Sequence, residues 1–238
     1  MKFKQKHFAA EYNTRMKEEG YPGKLLTLLL EIIPKLSRII DIGAGSGLIA
    51  IPLSKAGFQV TAIEPSEEMI SLMKTNMGSA MNNLTIIHSD WESWNGPAAD
   101  YCISVHSIYG ISNLNDSLRK MKQKSLRSII IVRDKTGSKT LTDILRESLK
   151  LNSQNKIISL KIRKILRSLH FPFTEIKFIQ ERTRSFKSIL DEANYYQNYF
   201  GLTPDYNEQI AELLQKETTH HDDTYSYVSH YHDTIFTF

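Results

Sequence analysis

One cysteine, Cys102, stands in 238 residues, so no disulfide framework and no cysteine-built zinc centre can form within the chain. It falls inside the apolar run ADYCISV, where a thiol is a core residue rather than a reactive one. No uninterrupted apolar stretch approaches the ~18 residues needed to cross a bilayer. The lysine-rich start MKFKQKHFAAEYNT also lacks the apolar heart of a secretory signal. A cytoplasmic chain without membrane contact is the expectation. Internal repeats and low-complexity linkers are missing too. The 41% of hydrophobic residues suffices for one substantial α/β core with appendages.

The most informative stretch is Arg38 to Leu48, RIIDIGAGSGL: an apolar strand running into Asp41, Gly43, Ala44, Gly45 and Gly47. A chain that leaves a buried strand and turns at once into a helix exposes free backbone N–H groups and the positive end of a helix dipole. Such a turn holds polar or anionic ligands. The dinucleotide fingerprint G-x-G-x-x-G would need glycine at 48, where this chain has Leu48. A helix over Ser46 to Ala56 and a second strand ending at Glu64 and Pro65 follow. Glu64 stands where the second strand of a βαβ unit brings a carboxylate to a ribose diol. The alternative is that it merely opens the next helix, although Ser66 already supplies that cap. A third strand, NLTIIHSD, ends at Asp90 beside Trp91. A fourth runs out through Ser104 to Gly110, and SIIIVRD makes a fifth.

The pattern Asp-x-Gly-x-Gly-x-Gly closing a strand resembles motif I of the class I, Rossmann-like S-adenosylmethionine (SAM) methyltransferases, and the resemblance extends from Arg38 to Asp134. It implies SAM as cofactor, with S-adenosylhomocysteine as product. Asp41, Gly43, Ala44, Gly45, Gly47, Glu64, Pro65, Asp90, Trp91 and His106 are then the cofactor-binding residues. Asp90 would accept a hydrogen bond from the adenine amino group, and Trp91 would pack on the ring. The implied fold is a doubly wound seven-stranded sheet of order 3-2-1-4-5-7-6, with strand 7 antiparallel. The lone buried cysteine speaks against cytosine C5 and arsenite methylation.

Around this core the chain divides into a helical cap over 1–34, the cofactor-binding core over 35–134, a helical insertion over 135–170, and C-terminal strands and helices over 171–238. In the cap, HFAAEYNTRMKEE reads as one helix. PGKLLTLLLEIIP reads as a second, with Pro22 in its first turn and Leu25, Leu28, Leu29 and Ile32 on one face. Tyr12 and Tyr21 could reach SAM or substrate from there. The insertion, TLTDILRESLKL and KIISLKIRKILRSLH, places Ile144, Leu145, Leu149, Ile157, Ile158, Ile165 and Leu166 at helical spacing, as a cap over the site. A strand TEIKFIQERTRSF, a helix ended by Gly201, another over Asp205 to Lys216, and the strand TYSYVSHYHDTIFTF complete the order.

Methyl transfer from a sulfonium needs an aligned nucleophile, a dry site and sometimes a base. After strand four, His106 is the candidate base, with Tyr109 as the second catalytic residue and Ser107 helping to orient substrate. No Asn/Asp-Pro-Pro-Tyr/Phe stands there, so that route to amino-group methylation is disfavoured. His220, His221, Asp222 and Asp223 read as a polar turn, and His230 with His232 as an exposed strand face, so no metal site is expected. Net charge is +4, yet 15 of the 30 Lys and Arg lie between Arg119 and Arg167, against Asp134, Asp143 and Glu147. The first reading is methylation of an oxygen or nitrogen of a small molecule. An RNA or tRNA methyltransferase using that basic region is the second, and a non-catalytic SAM-binding protein the third.

Overall fold

Residues Ile39 to Ile42 are buried on both faces, as a strand can be only at the centre of a sheet covered by helices on each side. The computed structural model describes residues 6–79, 81–151 and 158–238. Helices α1 (Lys6–Glu18) and α2 (Lys24–Ile32) lead into β1 (Arg38–Ile42). Then follow α3 (Ala50–Lys55), β2 (Gln59–Glu64), α4 (Glu67–Met77), β3 (Leu84–His88), β4 (Ala99–Val105), α5 (Leu114–Lys124) and β5 (Ser125–Lys139). The C-terminal part holds α6 (Leu141–Ser148), α7 (Ile158–Ser168), β6 (Thr174–Phe186), α8 (Ile189–Phe200), α9 (Tyr206–Glu217), β7 (Thr219–His221) and β8 (Thr224–Thr237).

The sheet runs β3-β2-β1-β4-β5-β8-β6, with β8 antiparallel to both β5 and β6. This is the expected order, its closing strand numbered eight because a short strand, β7, precedes it. That strand takes His220 and His221 out of the expected polar turn, and with Thr219 they pair with Thr224 to Ser226. Alternation along the central strands separates two cores. Ile39, Ile103, Ile129, Ile131 and Ile235 pack with Leu25 and Leu29 of α2, Leu53 of α3 and Met73 of α4. Ile40, Cys102, Ile130, Val132 and Phe236 pack with Leu118 of α5 and with Ile162 and Leu166 of α7. A third cluster joins α6, α8 and α9 through Leu145, Ala193, Ile210 and Leu214 at the far end of the β6–β8 hairpin.

Several expectations change. Helix α3 begins at Ala50 rather than Ser46, because residues 45 to 49 form turns around the glycines. Pro22 lies before α2, which starts at Lys24. The buried stripe of α2 continues to Ile33 while Ile32 is 39% exposed. The two helices read as one inserted cap separate: α7 is part of the layer covering the sheet, and only α6 joins the outer cluster. Helical periodicity reports that a face is apolar, not which surface it meets. Ile157 falls outside the described residues.

Candidate functional site

The carboxyl ends of β1, β2, β3 and β4 open into one cleft of about 710 Å³, at the place where doubly wound sheets bind ligands. Its floor is the turn after β1. Gly43 and Ala44 donate backbone N–H groups to Ile63 O at 2.8 and 3.1 Å, which ties the turn to β2. A Cβ on Gly43 would lie 2.6 Å from Ser107 Cβ, so glycine there lets the ends of β1 and β4 close on each other. Gly47 has a different reason. It alone of the expected cofactor residues does not line the cleft. At φ +81 a Cβ would meet Met73 Cγ at 2.6 Å and Ile51 Cδ1 at 2.8 Å. It permits close packing of α3 on α4.

Glu64 braces the turn as well as facing the cleft. Oε2 accepts from Gly45 N at 2.8 Å and Oε1 from Ser66 N at 2.9 Å. Ser66 Oγ caps α4 through Met69 N at 3.3 Å, as expected. Burial pushes the Glu64 carboxyl up, against those two N–H groups, which favour the anion. Asp41 beside it is 2% exposed, and its Oδ2 bonds nothing among the described residues. Burial first, and the Glu64 charge second, push Asp41 up to about 7. An unpartnered carboxylate at the cleft wall suits a cationic group.

The wall beyond β3 is held from behind. Asp90 is at the cleft, with Oδ1 accepting Ser93 N at 2.7 Å. Trp91 lines the cleft but is only 3% exposed, stacked on Trp94 with ring centroids 5.7 Å apart. Trp94 therefore covers one face of the Trp91 ring. Lys120 of α5 fastens this loop by donating to Trp91 O at 2.7 Å, Glu92 O at 3.1 Å and Trp94 O.

On the opposite wall stands His106, at the end of β4, with φ +54, an unusual conformation for a branched ring side chain. Its N–H is bonded to Ile131 O at 2.9 Å. Nε2 lies 2.9 Å from Asp233 Oδ1 on β8, and Nδ1 lies 3.3 Å from the Tyr21 hydroxyl. Nε2 also lies 3.4 Å from Arg133 Nη2, which can only donate, but the nearer Asp233 carboxylate can only accept, so Nε2 carries the proton and donates to it, leaving Nδ1 as the basic atom. Burial, with the charges of Arg133 and Arg182, lowers the imidazole pKa against the opposing pull of Asp233. The ring is neutral at pH 7. Arg133 Nε donates to the same Asp233 Oδ1 at 2.7 Å; burial would raise that carboxyl, but the hydrogen bonds from His106 and Arg133 and the neighbouring positive charge hold it below its usual range.

Tyr12, Met16 and Tyr21 roof the cleft. Burial raises the pKa of both tyrosines, so they are hydrogen-bonding hydroxyls and not bases. Tyr109, expected as a catalytic residue, has a half-exposed ring, and its hydroxyl accepts Arg133 N at 2.6 Å. Desolvation against β5 pushes that hydroxyl up to about 12. Ser107 lines the cleft, and its hydroxyl donates to Ile42 O and meets Ser104 Oγ at 2.7 Å, which ties the end of β4 to β1. Asp233 and Arg133 were not singled out from the sequence. The signal available was only a charged residue within each of two apolar strands, VRD and HDTIF. Among the described residues no group of three or more His, Cys, Asp or Glu is placed to hold a metal, and no helix is long and apolar enough to cross a membrane.

The comparisons agree with this geometry. A family model described as a methyltransferase domain matches residues 39–127. A 73-residue stretch, 31% of this chain, is 34% identical to the "Putative methyltransferase YqeM" of Bacillus subtilis, covering 29% of that protein. An uncharacterized protein of Haemophilus influenzae is 28% identical over 96 residues, 39% of this chain and 35% of its own. The chain thus spans about a third of the length of these curated relatives. Among solved structures, a "Putative methyltransferase from antibiotic biosynthesis pathway" of Anabaena variabilis superposes with a TM-score of 0.62 at 18% identity, covering 90% of this chain and 96% of that one. Magnesium protoporphyrin IX methyltransferase of Synechocystis, solved with S-adenosylhomocysteine bound, gives 0.50 at 17% identity, covering 90% and 82%. At these identities the structures speak for the fold.

Proposed function

We propose, from a chain whose residues 39–127 belong to the methyltransferase-domain family on the class I SAM-dependent methyltransferase fold, that the protein transfers a methyl group from SAM to an oxygen or nitrogen of a small molecule. The residues present fit that cofactor. Glu64 keeps lone pairs free for a ribose diol, Asp41 offers an unpartnered carboxylate to the amino-acid end, and Ile63, Met69, Trp91 and Ile111 make an apolar wall for the base. Bound there, SAM supplies a methyl already activated by its sulfonium charge.

What remains for the protein is to align the acceptor, exclude water and hold a proton. The observation that carries the reading is His106, neutral and fixed by Asp233, with Nδ1 turned to Tyr21 at the cleft. In this arrangement the imidazole takes the proton of an attacking O–H or N–H, directly or through the Tyr21 hydroxyl, and Asp233 stabilises the imidazolium formed. Tyr12, Met16 and Tyr21 keep the reacting atoms dry. The basic region supports a small acceptor over RNA: Lys120 and Lys124 donate to the carbonyls of the loop after β3, Arg133 to Asp233, and Arg163 to Glu175, so these charges are engaged within the chain. A cleft of about 710 Å³ lies well inside the ~300–1,000 Å³ typical of ligand sites, which favours an enzyme over a cofactor-holding scaffold.

The test is calorimetry with S-adenosylhomocysteine beside NAD, on the wild type and on Glu64→Ala, followed by a screen of hydroxyl- and amine-bearing small molecules for S-adenosylhomocysteine release. Micromolar binding of the first ligand alone, weakened in the variant, is expected. With an acceptor in hand, His106→Ala lowers turnover far more than cofactor affinity, and equal losses would remove the base role. Binding of NAD in preference would overturn the reading.

A further inference from the structure

The face of β5, β8 and β6 that looks toward α1 carries a row of arginines. Arg133 sits opposite Asp233, Arg182 opposite Ser229, and Arg184 opposite Tyr227. Burying a guanidinium is costly unless its donors are matched. Most of these are. Arg133 donates to Asp233 at 2.7 Å. Arg184 donates to Glu192 Oε2 at 3.0 Å and to Glu18 at 2.6 Å, and Arg15 of α1 joins Glu192 at 2.7 Å. Arg182 stands apart. It is 7% exposed, and its Nε and Nη1 hydrogen-bond nothing among the described residues. The carboxylate nearest to it, Glu19 Oε2, lies 4.0 Å away and already accepts the Tyr231 hydroxyl at 3.1 Å.

The neighbour of Arg182 is in the same condition. Gln180, two residues earlier on the same face, is 2% exposed, and neither amide atom finds a partner. Four unmatched polar atoms on adjacent side chains are unusual for a native interior. A recess of about 590 Å³ at the sheet edge is lined by Gln180 and Arg182 together with Lys24, Glu181 and Thr183. On its inner side the Arg182 guanidinium lies 3.8 Å over the Tyr231 ring and 5.2 Å over the Tyr21 ring. Tyr21 is also the residue whose hydroxyl meets His106.

We propose that Arg182 and Gln180, with Lys24 at the rim, form an oxyanion-binding subsite for a carboxylate or phosphate of the acceptor, separated from the cofactor cleft by the Tyr21 ring. The planar guanidinium suits a two-point grip on such a group, and the Gln180 amide adds a third donor. An acceptor anchored there reaches His106 past Tyr21 with its neutral, nucleophilic end. The anchoring of an acceptor rests on the methyltransferase reading, whereas the oxyanion site itself does not.

The experiment titrates the S-adenosylhomocysteine-saturated protein with inorganic phosphate and, separately, with benzoate, at constant ionic strength, following the melting temperature and the heat of binding. Saturable binding of one probe is expected, the preferred probe naming phosphate or carboxylate. The affinity should fall tenfold or more in Arg182→Gln and severalfold in Lys24→Gln, with S-adenosylhomocysteine affinity unchanged. Lys24→Gln is a rim substitution and decides the matter should Arg182→Gln fail to fold. Absence of saturable binding by either probe, an unchanged affinity in both variants, or competition of the probe with S-adenosylhomocysteine would overturn the subsite. Loss of S-adenosylhomocysteine binding in the wild type would instead overturn the methyltransferase reading.

Discussion

Replacing Asp41 with asparagine should make the ligand-free protein more stable at pH 8 while making it a poorer cofactor binder. Asp41 is shut in at 2% exposure beside Glu64, and its carboxyl is pushed from an ordinary 3.8 up to about 7. An acid whose folded pKa exceeds its unfolded value costs nothing below the unfolded pKa, where both states hold the proton. Between 3.8 and about 7 the unfolded chain ionises first, so stability falls as pH rises, and above about 7 the whole deficit remains. At about 1.4 kcal/mol per pH unit the deficit amounts to about 4 kcal/mol. The asparagine amide cannot ionise, so this part of the slope vanishes. The assay is urea denaturation of both proteins at steps from pH 5 to 8, without ligand. The variant should gain on the wild type as pH rises, by a few kcal/mol at pH 8. Glu64 contributes a slope of the same sign to both proteins and largely cancels in the comparison. Parallel curves over that range would refute the argument that Asp41 is a strained acid kept for a cation. With S-adenosylhomocysteine the ranking reverses: wild-type affinity rises between pH 6 and 8 as Asp41 ionises, and calorimetry in two buffers of different ionisation enthalpy records proton release near pH 6.5.

Gly47→Ala should lower stability by about 3 kcal/mol, from a left-handed backbone and a crowded Cβ together, yet leave S-adenosylhomocysteine affinity nearly unchanged in whatever fraction stays folded; a selective loss of affinity would return Gly47 to the ligand. Lys120→Met leaves three loop carbonyls without their donor, and calorimetry should record weaker S-adenosylhomocysteine binding although Lys120 does not line the cleft. Glu192→Gln leaves Arg15 and Arg184 without their shared carboxylate and should cost about 3–5 kcal/mol in chemical denaturation, with α1 exchanging its amide hydrogens faster than β1.

The cleft wall along the first three strands was legible because its residues occupy carboxyl ends of successive strands, and strand ends can be found from local pattern. Asp41, Glu64 and Asp90 fall within 49 residues of one another, each at the place a βαβ rhythm predicts. The wall around His106 was not. His106 meets Asp233 across 127 positions and Arg133 meets it across 100; both contacts depend on the register of an antiparallel strand, which a charged residue in an apolar run does not reveal. The packing role of Gly47 was hidden for a related reason. A glycine demanded by the packing of two helices and one demanded by a ligand look alike until the helices are placed. Trp91 belongs to the same class, since its stacking on Trp94 depends on a loop that α5 holds from behind.

Tyr21 precedes β1 and Asp233 lies in β8, the last strand in chain order, yet both close on His106. The matched stretch 39–127 contains Asp41, Glu64, Asp90 and His106, and none of the three side chains that meet the imidazole, Tyr21, Arg133 and Asp233. On the proposed function, selection can therefore retune the surroundings of His106 by changing segments outside the matched stretch while the glycine turn and its carboxylates stay as they are. For protein engineering the same division marks Tyr21, Arg133 and Asp233 as the positions to vary around a fixed His106 when the proposed acceptor site is probed.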